Sequence, residues 1–335
     1  MKERFLLVNK KRKKKKKLSI KKFAFFIVYQ VLFISITGML LVFHGPFQNV
    51  KKILVGTAMS TFKHQYIATM FLSKDEISKI VSNPKVYDKQ KVGAIDIKGI
   101  DDKSITRYNV HQKRFDGYIL EIKDPKRIKV ACTSKLGVQG QRVSEMAEEK
   151  GTVAAINGGG FFDKNDSGKE WVGTGAYPEG IVISDGKPVS KNVKGDEKVD
   201  VMAFNNEGEL IVGKRSYNEL KEMNIKEALS FNRTLIVNGN PQVEDEGEQG
   251  LQPRTAIGQK EDGTVVFLVI DGRKLFKEGA SLKDVQDILL DRGVWNAGNL
   301  DGGASATMYY KGEVINNPCN STGERTVATC FYVEP

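Results

Sequence analysis

The chain has 335 residues and a formal charge of +11, with 28% charged and 40% hydrophobic residues. Twelve Lys and Arg residues and a single acid lie in residues 1–22, so the rest of the chain carries 40 basic and 40 acidic residues. A nucleic-acid-binding protein carries its basic surface on the folded domain, so this distribution argues against nucleic acid as a partner. The length allows one large domain with appended segments.

An uncharged apolar run, residues 23–43, follows the basic tail. At about 1.5 Å per residue, a helix of this length spans the hydrocarbon core of a bilayer. The excess of Lys and Arg before the run predicts that residues 1–22 are cytoplasmic and that the C-terminal part is extracellular. A cleaved signal peptide is the alternative. It is disfavoured because its apolar region is shorter and ends at an Ala-x-Ala-like site.

Residues 44–92 are predicted to form a helical stalk or linker. Residues 50–81 favour helix with a break near Phe71, and Ser73 with Glu76 forms a capping-box pattern. The segment 84–115 is polar and mixed in composition. The sequence therefore predicts four parts: a cytoplasmic tail (1–22), a transmembrane helix (23–43), the stalk (44–92) and a domain (93–335).

From Gly117 onwards the pattern favours strands separated by Gly-containing turns. The predicted strands are 119–122, 128–132, 152–156, 180–184, 199–204, 209–212, 233–237, 264–270, 306–310 and 327–333. Two helices are predicted, at 143–150 and at 282–292, the second opened by Ser281 and stopped by Gly293. Since hairpins outnumber βαβ units, we predict an α+β fold with a mixed, largely antiparallel sheet and a few packing helices.

Glycine-bracketed polar clusters follow or precede several of these strands. They are Asn-Gly-Gly-Gly-Phe-Phe-Asp at 157–163, Pro-Arg-Thr-Ala-Ile-Gly at 253–258, Asp-Gly-Arg at 271–273 and Asn-Leu-Asp-Gly-Gly-Ala-Ser-Ala-Thr-Met at 299–308. Each cluster alone is compatible with an ordinary turn. Glycines at strand ends also let the backbone approach a ligand closely, and the neighbouring polar groups can bind it.

In this order, and with Gly-Glu-Arg at 323–325, the clusters resemble those of the phosphodiester glycosidases. That family includes the lysosomal uncovering enzyme and bacterial exopolysaccharide-associated proteins. The resemblance covers roughly residues 93–333 and leaves 1–92 unaddressed. It implies hydrolysis of a sugar-1-phosphodiester of the N-acetylglucosamine-1-phosphate type.

The predicted catalytic residues are Asp301 and Asp271, with Glu179 and Glu324 in reserve. Glycosidic cleavage commonly requires two carboxylates, one to protonate the leaving oxygen and one to activate water. The sequence contains only three histidines, all before residue 112. A Ser-His-Asp triad built on Ser305 is therefore excluded, since such a nucleophile needs an adjacent base.

The predicted phosphate-binding residues are arginines and glycines. A guanidinium suits a bidentate contact to phosphate, and consecutive glycines expose backbone N–H groups to an anion. We expect Arg254 and Arg273 to lie in one pocket near the glycine loop that begins at Gly158. The full predicted binding set is Asn157, Gly158, Gly159, Arg254, Thr255, Arg273, Asn299, Gly302, Gly303, Ser305 and Arg325.

The sequence identifies no metal site and requires no cofactor, although it is compatible with a bound divalent cation. Asp163, Asn165 and Asp166 have part of the spacing of a calcium loop, and without the closing Glu they favour a solvated loop. The three cysteines form no Cys-x-x-Cys motif. Buried inert thiols are favoured over a Cys319–Cys330 disulfide.

The sequence thus predicts a membrane-anchored extracytoplasmic hydrolase acting on a sugar-phosphate polymer of the cell envelope or exopolysaccharide. A non-catalytic glycopolymer-binding or export-accessory protein is the alternative. A third hypothesis is another phosphodiesterase that attacks phosphorus rather than the anomeric carbon.

Overall fold

The computed structural model of the chain describes residues 20–59, 64–81, 89–97, 99–162, 174–244, 247 and 249–335. The chain divides into two compact units, residues 1–48 and 49–335. The first contains helix α1 (Ile20–His44), whose length and apolar composition suit a membrane span and equally a signal sequence. The second extends further towards the N-terminus than the predicted domain, which began at residue 93.

The described part of the predicted stalk forms three helices. They are α2 (Gln48–Met59), α3 (Tyr66–Thr69) and α4 (Lys74–Val81), and Ser73 makes the predicted capping box with Glu76. Beyond it, Gln90 donates to the carbonyl of Leu210 and accepts from the N–H of Val212. The segment before residue 93 is therefore bonded to the sheets, which a polar composition alone does not predict.

Among the described residues, the strands form three sheets and one short pair, with every pairing antiparallel. The seven-stranded sheet has the order β1 (Ile105–His111), β2 (Asp116–Ile122), β15 (Val265–Ile270), β14 (Arg254–Lys260), β16 (Val294–Leu300), β12 (Thr234–Val237) and β13 (Asn240–Pro241). One five-stranded sheet has the order β10 (Leu210–Arg215), β9 (Val199–Phe204), β11 (Glu227–Ser230), β7 (Ile181–Ser184) and β8 (Lys187–Lys191). The other has the order β18 (Glu313–Val314), β17 (Met308–Tyr310), β4 (Ala154–Asn157), β19 (Thr329–Val333) and β3 (Ile128–Cys132), and the short pair is β5 (Phe161–Phe162) with β6 (Tyr177–Pro178).

The three sheets share one apolar core, to which β15 contributes by strict alternation. Val265, Phe267 and Val269 point into that core, while Val266 and the other alternate residues face α7 (Leu282–Asp291). A strand buried on both faces is uniformly apolar, which is why this segment is the most apolar run of the domain. The two remaining helices of the unit, α5 (Val143–Glu149) and α6 (Tyr217–Glu222), each cover the outer face of one five-stranded sheet.

This architecture confirms the predicted α+β class. Helix α7 begins after Ser281, whose hydroxyl accepts from the N–H of Asp284, as the sequence predicts. The three cysteines are unpaired. Cys330 lies opposite Ala131 and Cys132 opposite Thr329, so the two thiols point to opposite faces of their sheet. Burial raises the pKa of each of these two thiols to about 12, which makes them unreactive.

The register brings several strand ends to one edge. Arg254 at the start of β14 pairs with Ile270 at the end of β15, and Thr255 pairs with Leu300 at the end of β16. The end of β4 reaches the same place, because Asn157 accepts a hydrogen bond from Thr255. The described parts of the polar clusters, residues 157–162, 253–258, 271–273 and 299–308, therefore meet, although they come from separate parts of the sequence.

Candidate active site

Asp301 follows β16 directly and is held by its backbone. Its N–H donates to the carbonyl of Gly158 (3.0 Å), and its carbonyl accepts from Nδ2 of Asn157 (2.5 Å). Both bonds are made by the main chain of residue 301, so the carboxylate is not needed to hold this residue in place. The side chain is thus oriented from a rigid sheet end, as a catalytic group needs to be.

Two arginines act electrostatically on the Asp301 carboxylate. Burial is the main influence and raises the pKa of Asp301 to about 6, while Ser305, Arg325 and Arg273 oppose that rise. The Arg273 guanidinium lies directly over Gly303, where a Cβ would come within 3.1 Å of its Nη2. Arg325 lies with its Cζ 4.7 Å from the ring centroid of Phe161. Arg273 and Arg325 thus act on a carboxylate that is partly buried.

Two buried hydroxyls near Asp301 have no hydrogen-bond partner within the described part of the chain. They are Ser305 Oγ and Thr307 Oγ1. Ser305 lies close enough to lower the pKa of Asp301, although it does not reach hydrogen-bond geometry. Both side chains have no exposed surface in this structure, so each hydroxyl lies below the surface of the site.

Glu179 contacts the glycine loop, residues 158–160, to which Asp301 is also bonded. Its N–H donates to the carbonyl of Gly160 (2.8 Å), and its Oε2 lies 2.9 Å from the position that a Cβ on Gly160 would take. The side chain is exposed. Asp301 is bonded to Gly158 and Glu179 to Gly160, so the two carboxylates flank one three-residue segment.

The glycine loop itself packs against protein rather than presenting its first N–H groups to an anion. Gly158 donates to the carbonyl of Thr329 and Gly159 to the hydroxyl of the same residue. A Cβ on Gly158 would lie 2.4 Å from Thr329 Oγ1, and one on Gly159 would lie 2.4 Å from the carbonyl oxygen of Ser230. Because both N–H groups are bonded within the protein, they do not make the predicted contact with phosphate in this structure. Glycine is required at both positions because a side chain would clash with its neighbours.

Asn157 and Thr255 are also bonded internally. The Asn157 side chain is fully buried, and its Oδ1 accepts from Thr255 Oγ1 (2.7 Å) and from the N–H of Thr307 (3.1 Å). With its Nδ2 on the carbonyl of Asp301, Asn157 ties β4, β14 and β16 together. Both residues were predicted to bind substrate, but the structure makes them positioning residues for Asp301.

Arg254 is likewise a positioning residue, in contrast to its predicted contact with phosphate. It is 1% exposed. Its guanidinium donates to the carbonyls of Gln249, Gly250 and Ala280 and to Oε1 of Gln249. Gln252, in the same segment, accepts from Arg273 Nη2 (3.2 Å). Arg254 therefore orders the loop that supports Arg273, rather than sharing a phosphate with it.

Replacing Arg254 by Lys is expected to destabilise the fold. An ammonium cannot reach all of these acceptors, and the loss of buried charge-assisted hydrogen bonds costs about 3 kcal/mol of unfolding free energy. Chemical denaturation of the full chain in detergent, followed by circular dichroism, measures this change. Arg215→Lys, at an only partly buried position on β10, is the matched control and is expected to leave the midpoint in place. Equal midpoints for the two variants would contradict the positioning role.

Asp271 and Glu324, predicted as catalytic carboxylates, are both engaged elsewhere. Asp271 accepts from Nδ2 of Asn316 and from the N–H of Asn317, with Lys274 Nζ 3.6 Å away. Burial raises the pKa of Asp271 against those bonds. Glu324 accepts from the hydroxyl and N–H of Ser144 at the start of α5. In this structure Asp271 therefore holds the loop after β18 and Glu324 caps a helix, and their catalytic roles stay predictions.

The remaining predicted residues line the strand ends. Gly302 and Gly303 turn the chain beneath Pro253, whose carbonyl lies 2.5 Å from a Cβ placed on Gly302. Asn299 donates to the carbonyl of Asn232, and its Oδ1 is a further buried atom without a partner in the described residues. Asp163, Asn165 and Asp166 lie outside the described residues. Within the described ranges, no group of three or more His, Cys, Asp or Glu residues is arranged to hold a metal ion.

Sequence reasoning missed the segment that follows β11. Ser230 lies against Gly159, and the ring of Phe231 lies 3.4 Å from a Cβ placed on Gly160. Asn232 bonds Asn299, as described above. The only signal is the polar residue Asn232 directly before the predicted strand 233–237, which is weak because turns have the same composition.

Comparisons with known proteins identify the family of the chain. The family model for phosphodiester glycosidases matches residues 150–334, more than half of the chain. The chain belongs to the phosphodiester glycosidase family. This family consists of hydrolases that act on glycosidic bonds, and the chain is assigned to that class at the level of the family.

Similar curated proteins of this family come from bacteria and mammals. The chain is 29% identical over 203 residues to the SPbeta prophage-derived uncharacterized protein YomE of Bacillus subtilis, covering 58% of this chain and 30% of that protein. It is 30% identical over 205 residues to the N-acetylglucosamine-1-phosphodiester alpha-N-acetylglucosaminidase of Bos taurus, covering 56% of this chain and 36% of that enzyme. The matches thus span about a third of the length of these relatives.

Solved structures show the same fold. The zebrafish N-acetylglucosamine-1-phosphodiester alpha-N-acetylglucosaminidase catalytic domain, auto-inhibited by its pro-peptide, superposes with a TM-score of 0.58 at 21% identity. The match covers 72% of this chain and 87% of that one. A putative exported protein of Burkholderia pseudomallei superposes with a TM-score of 0.50 at 16% identity, covering 66% and 74% respectively. Because the two sequence identities are only 21% and 16%, these structures show the fold of this phosphodiester glycosidase and nothing about its substrate.

Proposed function

We propose that this chain hydrolyses a sugar-1-phosphodiester of the N-acetylglucosamine-1-phosphate type within a cell-envelope or exopolysaccharide glycopolymer. The observation that carries the proposal is Asp301 at the meeting point of the strand ends, a carboxylate whose pKa is raised by burial and on which Arg325 and Arg273 act electrostatically. The names of the bovine and human relatives, both N-acetylglucosamine-1-phosphodiester alpha-N-acetylglucosaminidases, support the sugar and the bond.

The two arginines suit the phosphate half of such a substrate. Guanidinium groups bind phosphate oxygens with directed, charge-assisted hydrogen bonds. Arg273 and Arg325 come from distant parts of the chain, and both act electrostatically on Asp301.

Asp301 is proposed as the carboxylate that activates water. A phosphomonoester is a good leaving group, so protonating it contributes less than generating the nucleophile. A water molecule gives a proton to the Asp301 carboxylate while its oxygen bonds to the anomeric carbon. The bond from that carbon to the phosphoryl-linked oxygen breaks, and the phosphomonoester leaves with both electrons and this oxygen. Glu179 is the second carboxylate at the loop.

The pH dependence follows from the pKa of Asp301. With that pKa near 6, the carboxylate is protonated and inactive as a base below about pH 6, and ionised above it. We expect kcat/KM to rise about tenfold per pH unit on the acid side and to level off above about pH 6. Initial rates measured from pH 4 to pH 8 determine this acid-side part of the pH–rate profile. A rate that falls as pH increases through 6 would show instead that the protonated carboxyl is the active form.

The alternative, a non-catalytic glycopolymer-binding or export-accessory protein, is favoured by one observation. Asp271 and Glu324, two of the four predicted catalytic carboxylates, are bonded within the protein. The discriminating experiment incubates the full chain with a soluble N-acetylglucosamine-1-phosphodiester and measures free sugar and phosphomonoester. Turnover supports the hydrolase, whereas binding without product supports the accessory role.

The proposal includes anchoring by α1, with residues 1–22 in the cytoplasm and the C-terminal region outside the cell. It is supported by the length of α1 and by the basic residues that precede it. Protease added to intact protoplasts is expected to remove residues beyond α1. Protection of that region would place it in the cytoplasm, away from any envelope polymer.

A further inference from the structure

Four exposed apolar side chains lie in two loops that border the candidate active site. In the described part of residues 99–335, five large hydrophobic side chains are exposed, and one of them is Tyr108. The other four are Leu136, Val138 (78% exposed), Leu275 (83%) and Phe276 (79%). Scattered apolar residues need no explanation, but their concentration in two loops does.

The second loop is a tight hairpin whose tip is Leu275-Phe276. The N–H of Lys274 donates to the carbonyl of Lys277, and the N–H of Lys277 donates back to the carbonyl of Lys274, both at 3.0 Å. Phe276 has φ of +61°. Of the two central residues only Phe276 has positive φ, as in a type II turn, where Gly or Asn is preferred at that position and a bulky residue is strained. The turn therefore holds an exposed aromatic ring at a position whose backbone conformation disfavours it. Strained positions of this kind are often functional, which indicates that the ring has a function.

Contacts connect both loops to the catalytic cluster. Arg273, which lies over Gly303, immediately precedes the hairpin. In the other loop, the N–H of Gly137 donates to Ala176, and a Cβ on Gly137 would lie 3.6 Å from the Tyr177 ring. Tyr177 belongs to the β5–β6 pair, where Phe161 lies under Arg325. One loop therefore adjoins Arg273 and the other adjoins the strand pair beneath Arg325.

Lysines accompany the apolar side chains in both loops. Lys135 precedes Leu136 and is exposed. Lys274 and Lys277 flank the hairpin tip, and Lys277 Nζ donates to the carbonyl of Gln112 (2.8 Å) and to Asp116. This contact fastens the hairpin to a neighbouring turn that presents a further exposed lysine, Lys113. The rim of the site thus combines apolar tips with cationic groups.

We infer that these two loops dock on an anionic lipid surface. Leu275, Phe276, Leu136 and Val138 enter the boundary between headgroups and acyl chains, and the exposed Lys113 and Lys135 contact lipid phosphates. Three of the four side chains are aliphatic, which suits acyl chains better than the hydroxyl-rich faces of a glycan. The docking brings the candidate active site to the headgroup layer. It does not depend on hydrolysis, because it rests on the exposed loops alone.

A photocrosslinking experiment tests this inference. Benzoylphenylalanine replaces Phe276 in the full chain, which is reconstituted into phosphatidylcholine vesicles with or without phosphatidylglycerol, and lipid adducts are measured by mass spectrometry. The control carries the same group at Glu207, in the exposed turn at the other end of β9 from the site. We expect at least about tenfold more adduct at 276 than at 207, and a further increase with phosphatidylglycerol.

Two further results complete the test. Leu275→Ser is expected to reduce the adduct formed by benzoylphenylalanine at Val138 while leaving the thermal unfolding midpoint unchanged, since Leu275 is exposed. Equal lipid adducts at 276 and 207 would overturn the inference. So would crosslinking at 276 to an added glycopolymer in place of lipid, because that outcome would assign the loops to the polymer.

Discussion

Replacing Asp301 by Asn is expected to lower kcat by at least about a hundredfold, the usual scale for a lost acid–base group. The amide keeps the size of the side chain, and the bonds that fix residue 301 are made by its backbone to Asn157 and Gly158. The geometry of the site is therefore retained while the base is lost. Steady-state kinetics on a soluble N-acetylglucosamine-1-phosphodiester measure the change.

The same variant should not unfold the protein. The pKa of Asp301 is raised on folding, so its ionisation lowers the native state's stability as pH increases from the unfolded pKa towards about 6. Asn does not ionise, so at pH 7 the variant is expected to be at least as stable as the parent. Asp185→Asn is the matched control, another Asp-Gly pair, in a turn at φ +49° that Asn tolerates. Near-normal turnover of Asp301→Asn would remove Asp301 from the mechanism.

Replacing Arg273 or Arg325 by Gln is expected to lower kcat/KM by roughly ten- to a hundredfold each, equivalent to about 1.5–3 kcal/mol for a charge-assisted contact. Each variant removes one cation beside the Asp301 carboxylate. The pKa of Asp301 should therefore rise in both, and the acid limb of the pH–rate profile should move to higher pH. Kinetics at several pH values measure both effects.

Arg215→Gln is the matched control for the arginine pair, because its guanidinium donates to the carbonyl of its neighbour, Lys214. It is expected to leave both kcat/KM and the pH profile unchanged. A double variant of Arg273 and Arg325 that retains parental kcat/KM would show that the substrate phosphate lies elsewhere. An unchanged acid limb in the two single variants would contradict the electrostatic coupling to Asp301.

The local patterns in this sequence predict its most regular elements. Helix α7 has a capping Ser281 and an apolar face, and β15 is a continuous apolar run, so both are identified without tertiary information. Strand β16 is harder to predict, because Asn296, Gly298 and Asn299 resemble a loop. The structure gives the reason for the glycine: a Cβ on Gly298 would lie 2.4 Å from Sδ of Met202.

Residue types predict which side chains are candidates for the site, but not which of them meet. Arg254 and Arg273 both sit at strand ends with the same chemistry. They differ in their partners: Arg254 is saturated by carbonyls that include the distant Ala280. Glu324 is engaged by Ser144, 180 residues earlier. Such long-range hydrogen bonds decide whether a polar group serves the fold or a ligand, and no local pattern encodes them.

Hydrolysis in ¹⁸O-labelled water tests the central claim most directly. The full chain is incubated with an N-acetylglucosamine-1-phosphodiester, and the label is located in the products by mass spectrometry. Attack of an Asp301-activated water at the anomeric carbon predicts the label in the released sugar and none in the phosphomonoester. It also predicts that Asp301→Asn forms both products at least about a hundredfold more slowly. Label in the phosphomonoester would show attack at phosphorus. A chain that binds the diester without releasing either product would contradict hydrolysis altogether.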